Sequence, residues 1–557
     1  MKIKIIFFAL VVSLLSTRCS LDEKIYDTAM TDTFVQGESD IRFVLNGVYS
    51  FFPAYNSYKS NLTYQILFGA DDFTSTSATY RLFLERTISS SNGYFTSPWS
   101  SYYLTINNAN SLMESMDKME NISESYKNRI MGELYFLRAF SYFNMVRLYG
   151  GVPIHTSSIN GGSNFYPVQN TIDEVYTQVL DDFKKASESC LANSKMPAGE
   201  FGHATKGAAQ SMLSLAYLTY GNYFDLQSQP QEASKYYQLA ENYADSVILS
   251  NEYSLLPNYA DLWDVTKEKN AYAEVIFAIQ HTRDATAASA SSRGSELAYY
   301  TQPSTRYNIC GNVTNKAGAG TARIQPWFYD VCSTGDYIKD YRTEVSFITR
   351  FKDAASNNER ITYPEVRKAS EATEQYPYLD KYKDPNGLQA RNNENDFFII
   401  RLSEVYLIKA EAENELNGPT ADAYNAFNKL RERARKANGT ARTTPANLAA
   451  GLSKEDFRMK IFDERGLELV GEGHRWFDSV RMRYKDNSRT MIQYRYEEFF
   501  PAMTNKTAPV YNATTKIWGG GRVQPLNIVS YTTKFLIWPI PSTEIDSNPN
   551  VTQNQGW

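Results

Sequence analysis

Histidine is scarce in this sequence, and cysteine occurs in no useful arrangement: there are four of each among 557 residues. His155, His203, His281 and His474 are scattered, with no HExxH and no neighbouring ligand pair, so no zinc signature exists. The cysteines, at 19, 190, 310 and 332, form no CxxC spacing and no disulfide framework. Cys310 and Cys332 are the two that a loop would bring together in an oxidising compartment. There is no GxSxG elbow, and the triple glycine at 519 lacks the Lys-Ser/Thr that a phosphate cradle needs. Basic residues number 57 against 62 acidic ones, for a net charge of −5 with no basic block, which excludes a nucleic-acid partner of the usual kind. Nothing here calls for a cofactor.

Rings, by contrast, are plentiful: 41 tyrosines, 30 phenylalanines and 7 tryptophans, 14% of the chain. Amphipathic rings fill helical cores, stack on sugars or bury partner proteins. The densest run, Glu133 to Tyr149, is interrupted only by Arg138, Ser141, Asn144 and Arg147, three apart. At about 100° per residue these make one narrow polar stripe on an otherwise apolar cylinder. Such a helix must be covered on several sides, and its central arginines exclude a membrane span. Gly150-Gly151 and Pro153 end it.

The N-terminus carries Lys2 and Lys4, an apolar run from Ile5 to Leu15, then Ser16-Thr17-Arg18-Cys19. This predicts a secretory signal over 1–18, too short for a stable span. A lipidated tether is expected over 19–38, followed by helices at 39–52, 99–116, 171–189, 204–223 and 232–249. Small and bulky apolar residues alternate there at helical spacing, as in stacked helical hairpins. From 251 to 396 the composition turns to Ser, Thr, Asn, Gly and Pro, with a strand-like fragment at Glu274–Ile279 and scattered rings. A long irregular segment in a compact protein is where binding is expected. Helix resumes at 397–417, 420–436 and 453–481, within a second helical part spanning 397–485, and 486–557 is irregular. The acids, arginines and His474 between Asp463 and Asp478 are expected to be ion pairs that fix helix packing, not catalytic groups.

Four stretches, in order, carry a resemblance: FLRAFSYFNMVRLYGGVPI (136–154), RLSEVYLIKAEAENELNG (401–418), ERGLELVGEGHRWFDSVR (464–481) and FLIWPIPSTEIDSNPNVTQNQGW (535–557). Together with Cys19 followed by Asp22-Glu23, they resemble the SusD/RagB family of outer-membrane nutrient-binding lipoproteins. The resemblance implies a mainly α fold: about four tetratricopeptide-like helix pairs under an irregular layer with short strands. It implies acylation of Cys19, an outer-membrane location facing outward, and a SusC-like TonB-dependent transporter as partner. The ligand would be an oligosaccharide or polysaccharide, or a peptide in the RagB branch.

The family's site lies near the early loop, the start of the second helix and the insertion, where this chain offers Asp72, Arg81, Trp99, Tyr102, Tyr299, Tyr300 and Trp327. Trp99 and Trp327 are the expected stacking platforms, and carboxylates would accept hydrogen bonds from sugar hydroxyls. Trp476 and Trp538 are expected in the core. A glycan-degrading enzyme using Asp71-Asp72 and a structural lid without a ligand site are the rival readings.

Overall fold

The computed structural model describes residues 35–557 except 36, 76, 160–163, 284–292, 307–317, 355, 369–370, 388–390, 486–488, 504–506 and 522–529. The signal segment, Cys19 and Cys310 therefore lie outside the described residues, and Cys332 is a buried free thiol. About 52% of the molecule is helical, and among the described residues no helix is long and apolar enough to cross a membrane.

The principal helices are α1 (Glu38–Tyr49), α2 (Asn61–Leu67), α3 (Ala78–Leu84), α4 (Gly93–Asp117), α5 (Glu124–Tyr149), α6 (Ile172–Ser189), α7 (Lys206–Leu226), α8 (Pro230–Leu249), α9 (Leu297–Thr301), α10 (Pro326–Ser333), α11 (Leu402–Asn417), α12 (Ala421–Ala434), α13 (Lys454–Glu468), α14 (Arg475–Arg481) and α15 (Ser542–Ser547). Helices α4 to α8 pack each on the next, and α11 continues the stack from α8 before α12 and α13 pack on α11. The scaffold is thus continuous across the loop-rich insertion. One apolar core runs from Val35 to Val551, and a smaller one lies between α11, α12 and α13.

Helix α5 starts where the Ser123 side chain accepts from the Tyr126 amide, and it stops at Gly150, whose φ of +76° suits glycine. Its polar stripe is satisfied inside the protein. Arg138 grips Asp182 of α6 with two hydrogen bonds of 2.8 Å, and the Arg147 guanidinium lies 3.9 Å and 4.0 Å from the ring centres of Phe143 and Phe477. Buried bidentate pairing of this kind fixes the crossing of two helices.

Two boundaries differ from the sequence expectation. Phe397–Arg401 is a strand, paired antiparallel with Val275–Ile279, and α11 begins only at Leu402. A short run of rings and β-branched residues buried on both faces carries no period that separates strand from helix. The expected helix over 453–481 is two, α13 and α14, because Gly471 and Gly473 adopt φ values of +79° and +81° between them. The stretch from Ser57 to Ser75, expected in part as a polar loop, is buried throughout and contains α2.

The charged segment at 463–478 forms the expected ion pairs, all buried. Glu464 pairs with Arg342 and Arg431, and Glu468 with Arg342, Arg401 and Arg433; Arg465 joins Glu404 to Asp478. Trp476 and Trp538 are fully buried, as expected.

Candidate functional site

The candidate site is a patch of rings where α2, α3 and the start of α4 meet α9. Tyr64 and Tyr80 stack at 4.6 Å, and Phe68 stacks on Tyr80 at 5.0 Å with the planes 6° apart. Tyr94 and Tyr300 meet Tyr64 edge-on at 4.8 and 5.2 Å, and Tyr299 stands edge-on to Tyr300 at 5.2 Å. Offset and edge-to-face contacts of this kind hold rings rigidly. Tyr64, Phe68 and Tyr300 form the buried floor, while Tyr80, Tyr94 and Tyr299 are half-buried and face outward.

The Arg391 guanidinium lies 4.0 Å from the centre of the Tyr299 ring with its side chain 39% exposed, and 3.9 Å from Glu296. The Tyr300 hydroxyl donates to Glu296, and the Tyr80 hydroxyl donates to Tyr64 at 3.1 Å. Burial raises the Tyr80 phenol, and burial followed by Tyr80 itself pushes Tyr94 up to about 12. Both hydroxyls therefore stay protonated at neutral pH, able to donate or accept. A surface with ring faces, hydroxyls and one exposed guanidinium can hold a polyhydroxylated ligand by stacking and hydrogen bonds.

The seven expected site residues fall in different places. Tyr299 and Tyr300 belong to the patch, as wall and floor. Arg81 follows Tyr80 on α3, half-buried and with no side-chain hydrogen bond or ion pair to the described residues. Tyr102 is wholly buried in the core beside Tyr58 and Tyr149. Trp327 is 3% exposed, with Arg495 4.7 Å from its ring centre and Phe499 and Phe500 edge-on, so neither face is open to a sugar. The interior position comes from residues 495–500, far away in sequence. Trp99 is 5% exposed, wedged edge-on against Tyr149 and set on a different face of α4 from Tyr94. Of these side chains, only Tyr299, Tyr300 and Arg81 lie in or beside the patch.

Asp72 is 1% exposed and also below the surface. Its backbone carbonyl accepts from the Gln325 amide where Phe73–Thr74 pairs with Arg323–Ile324. Burial and then the neighbouring Asp71 charge push its carboxyl up to about 7. Asp71 is held by Arg475 at 2.7 and 3.2 Å and by Arg495 at 3.3 Å; burial opposes its charge, but the arginines outweigh that and hold it below the usual range. Two acids enclosed in this way cannot flank an external glycosidic bond.

Sequence reasoning undervalued Tyr64, Tyr94 and Arg391. Tyr64 and Tyr94 lie in early segments to which the sequence pattern assigns no element, and nothing in the run Arg391-Asn392-Asn393 marks the arginine. Among the described residues, Glu133, Glu200 and His203 bring ligand atoms within 4.8 Å of one another. Arg129 pairs with both carboxylates there, and Tyr49 and His203 meet Glu133 at 2.9 and 2.8 Å, so the cluster neutralises itself.

Stacked helical hairpins that carry a surface of rings where α2, α3, α4 and α9 meet define a helical-repeat scaffold. The SusD family pattern matches residues 273–557, and a second pattern, described as starch-binding associating with outer membrane, matches 21–218. The chain belongs to the SusD family. It is 28% identical over 501 residues to SusD-like protein P2 of Formosa agariphila, covering 86% of this chain and 91% of that protein. It is 23% identical over 488 residues to the starch-binding protein SusD of Bacteroides thetaiotaomicron, covering 79% and 75%. In three dimensions it resembles a SusD homolog from Bacteroides thetaiotaomicron (TM-score 0.74, 19% identity, 95% and 98% covered) and a laminarin-binding SusD-like protein (TM-score 0.68, 22% identity, 94% and 100% covered).

Proposed function

We propose that this protein is a surface-exposed lipoprotein that binds a glycan non-covalently and passes it to a SusC-like, TonB-dependent outer-membrane transporter. The patch of Tyr80, Tyr94 and Tyr299, with Arg391 against the last ring, is the observation that carries the reading. Its rings offer stacking faces to sugar C–H surfaces, and its hydroxyls and guanidinium meet sugar oxygens. Arg81 extends the polar rim, while Asp72, Tyr102 and Trp327 belong to the core and leave the ligand to the patch. Relatives named for starch and laminarin binding support a carbohydrate ligand, and the lipoprotein signal at Cys19 supports anchoring by acyl chains. No bond is broken: among the described residues the patch brings no pair of carboxylates together, and Asp71 and Asp72 are enclosed.

Titration calorimetry of the purified protein with a panel including maltohexaose and laminarihexaose tests the reading. Saturable heat that disappears in Tyr299→Ala and Arg391→Ala is expected, with affinity at least about tenfold weaker in each. Absence of heat with every glycan would favour a lid without a ligand site. Release of new reducing ends by the purified protein would favour an enzyme, and heat with peptides alone the RagB-like alternative.

A further inference from the structure

Helix α4 has a second equipped face. Trp99, Tyr103 and Asn107 recur every fourth residue, and Tyr103 lies about 180° around the helix and about 13 Å along it from Tyr94. Together with residues 153–159 and 164–167 and with α15 they line a cleft of about 530 Å³, within the usual size range of small-ligand sites. Trp99 and Tyr103 form the inner wall. Phe165 stands on the rim, 65% exposed, with Tyr166 and Val168 beside it at 54% and 63%.

The cleft is preformed by hydrogen bonds to the segment's backbone. The Tyr103 hydroxyl donates to the Pro153 carbonyl at 2.8 Å, the Ile159 amide to Asn107 at 2.7 Å, and the Ser158 amide to Glu114 at 2.7 Å. From the C-terminal tail, Asn548 and Asn550 donate to the carbonyls of Pro167 and Tyr166 at 3.0 and 2.7 Å. Two polar groups remain available inside it. The His155 imidazole, edge-on to Tyr103 at 5.8 Å, makes no hydrogen bond to the described residues, and among them the Glu544 carboxylate accepts only a 3.4 Å contact from Asn548.

We propose that this cleft is a second carbohydrate-binding site, separate from the Tyr299 patch, in which a sugar ring lies against Phe165 and presents its hydroxyls to His155 and Glu544. A purely apolar ligand would leave a carboxylate and an imidazole desolvated without partners, which is costly. A hydroxyl-bearing ring satisfies both groups and still offers a C–H face to the aromatic rim. Burial lowers the imidazole pKa, only partly offset by Glu544, so His155 is neutral at physiological pH and can donate from one ring nitrogen and accept at the other.

The test uses the mature chain labelled with 5-fluorotryptophan, its Trp99 fluorine resonance assigned with Trp99→Phe. Glucose, N-acetylglucosamine, maltohexaose, laminarihexaose and a leucine-rich hexapeptide are added in turn. A saturable shift of the Trp99 signal with at least one sugar is expected, about tenfold weaker in Phe165→Ala and in Glu544→Gln and within about twofold of the parent in Tyr299→Ala. A shift that persists while Tyr299→Ala has no effect in calorimetry would keep the second site and sink the first. A Trp99 signal unmoved by all the sugars, moved by the peptide alone, or indifferent to Phe165→Ala overturns the proposal.

Discussion

Tyr299 and Trp327 are both rings of the loop-rich segment, yet their surroundings give them opposite consequences on removal. Trp327 fills space against Phe499, Phe500 and the Arg495 guanidinium, so Trp327→Ala should cost about 3–5 kcal/mol, read in thermal and denaturant melts. Tyr299→Ala, at a half-open position, should leave stability within about 1 kcal/mol while abolishing glycan heat. An unchanged melt for Trp327→Ala would show that the tryptophan is not a core residue. Asp72 yields a pH prediction with a fixed sign. Its carboxyl stands at about 7 in the fold against an ordinary 3.8, so between those values the folded protein keeps a proton that the unfolded chain gives up. Its contribution to stability therefore falls as pH rises through that window. Asp72→Asn, a neutral isostere, should gain melting temperature over the parent progressively from pH 5 to pH 8. A difference that is the same at both ends would mean that Asp72 is already ionised in the fold.

At the scale of elements, the strand Phe397–Arg401 and the helix α13 meet through a buried charge knot: Arg401 contacts Glu274 at 2.9 Å, Glu472 at 2.9 Å and also Glu468. Burial opposes ionisation of Glu468 and Glu472, and the cations around them overcome it, so both carboxyls are held below the usual range. Their stabilisation is present above the ordinary glutamate pKa and is lost as pH falls below it. Arg401→Met strands these carboxylates, with an expected loss of about 3–5 kcal/mol and an acid-unfolding midpoint shifted to higher pH. Retained stability at neutral pH would show that Arg433 and Lys381 suffice. This knot also marks how far the sequence was legible. The regular 3.6-residue period made α6 to α8 and α12 readable within about three residues, whereas α4 and α5 begin at Gly93 and Glu124, well before their expected starts at 99 and 133, and the mixture of acids and arginines at 463–478 was readable as ion pairing. The partners on Glu274, Arg342 and Arg401 were not, because these contacts join segments 67 to 127 positions apart. The site was legible only where Tyr299-Tyr300 stand together in polar sequence. Burial of Asp72 and Trp327 depends on contacts from the last third of the chain, and that of Tyr102 on Tyr58 and Tyr149, none of which a local pattern announces.

For the whole molecule, two ends of the chain matter. On the proposed reading, in which acyl chains supply the anchor and the folded body the site, Cys19→Ala should move the protein from the membrane fraction to the soluble one while leaving glycan affinity unchanged. The other end closes the scaffold. The Trp538 amide donates to the Leu148 carbonyl at 2.9 Å, and the Asn554 carboxamide donates to the carbonyls of Tyr149 and Trp538 at 2.9 and 2.7 Å. Gln553 bridges both the amide and the carbonyl of Ile540, and the Trp557 indole donates to Ile537 at 3.0 Å while its ring meets Phe95 and Trp538 at 6.1 and 6.2 Å. The last five residues thus satisfy the carbonyl end of α5 and cover Phe95, the neighbour of Tyr94 in the ring patch. Deleting residues 553–557 removes several hydrogen bonds worth about 1 kcal/mol each and uncovers two buried rings. The melting temperature should fall by a few degrees or more, and glycan affinity should weaken with it as the start of α4 loosens. Trp557→Phe keeps the ring and loses one hydrogen bond, so it should lie close to the parent in both measurements. A truncated chain that melts and binds like the parent would mean that α5 and α4 hold the patch in place without the tail.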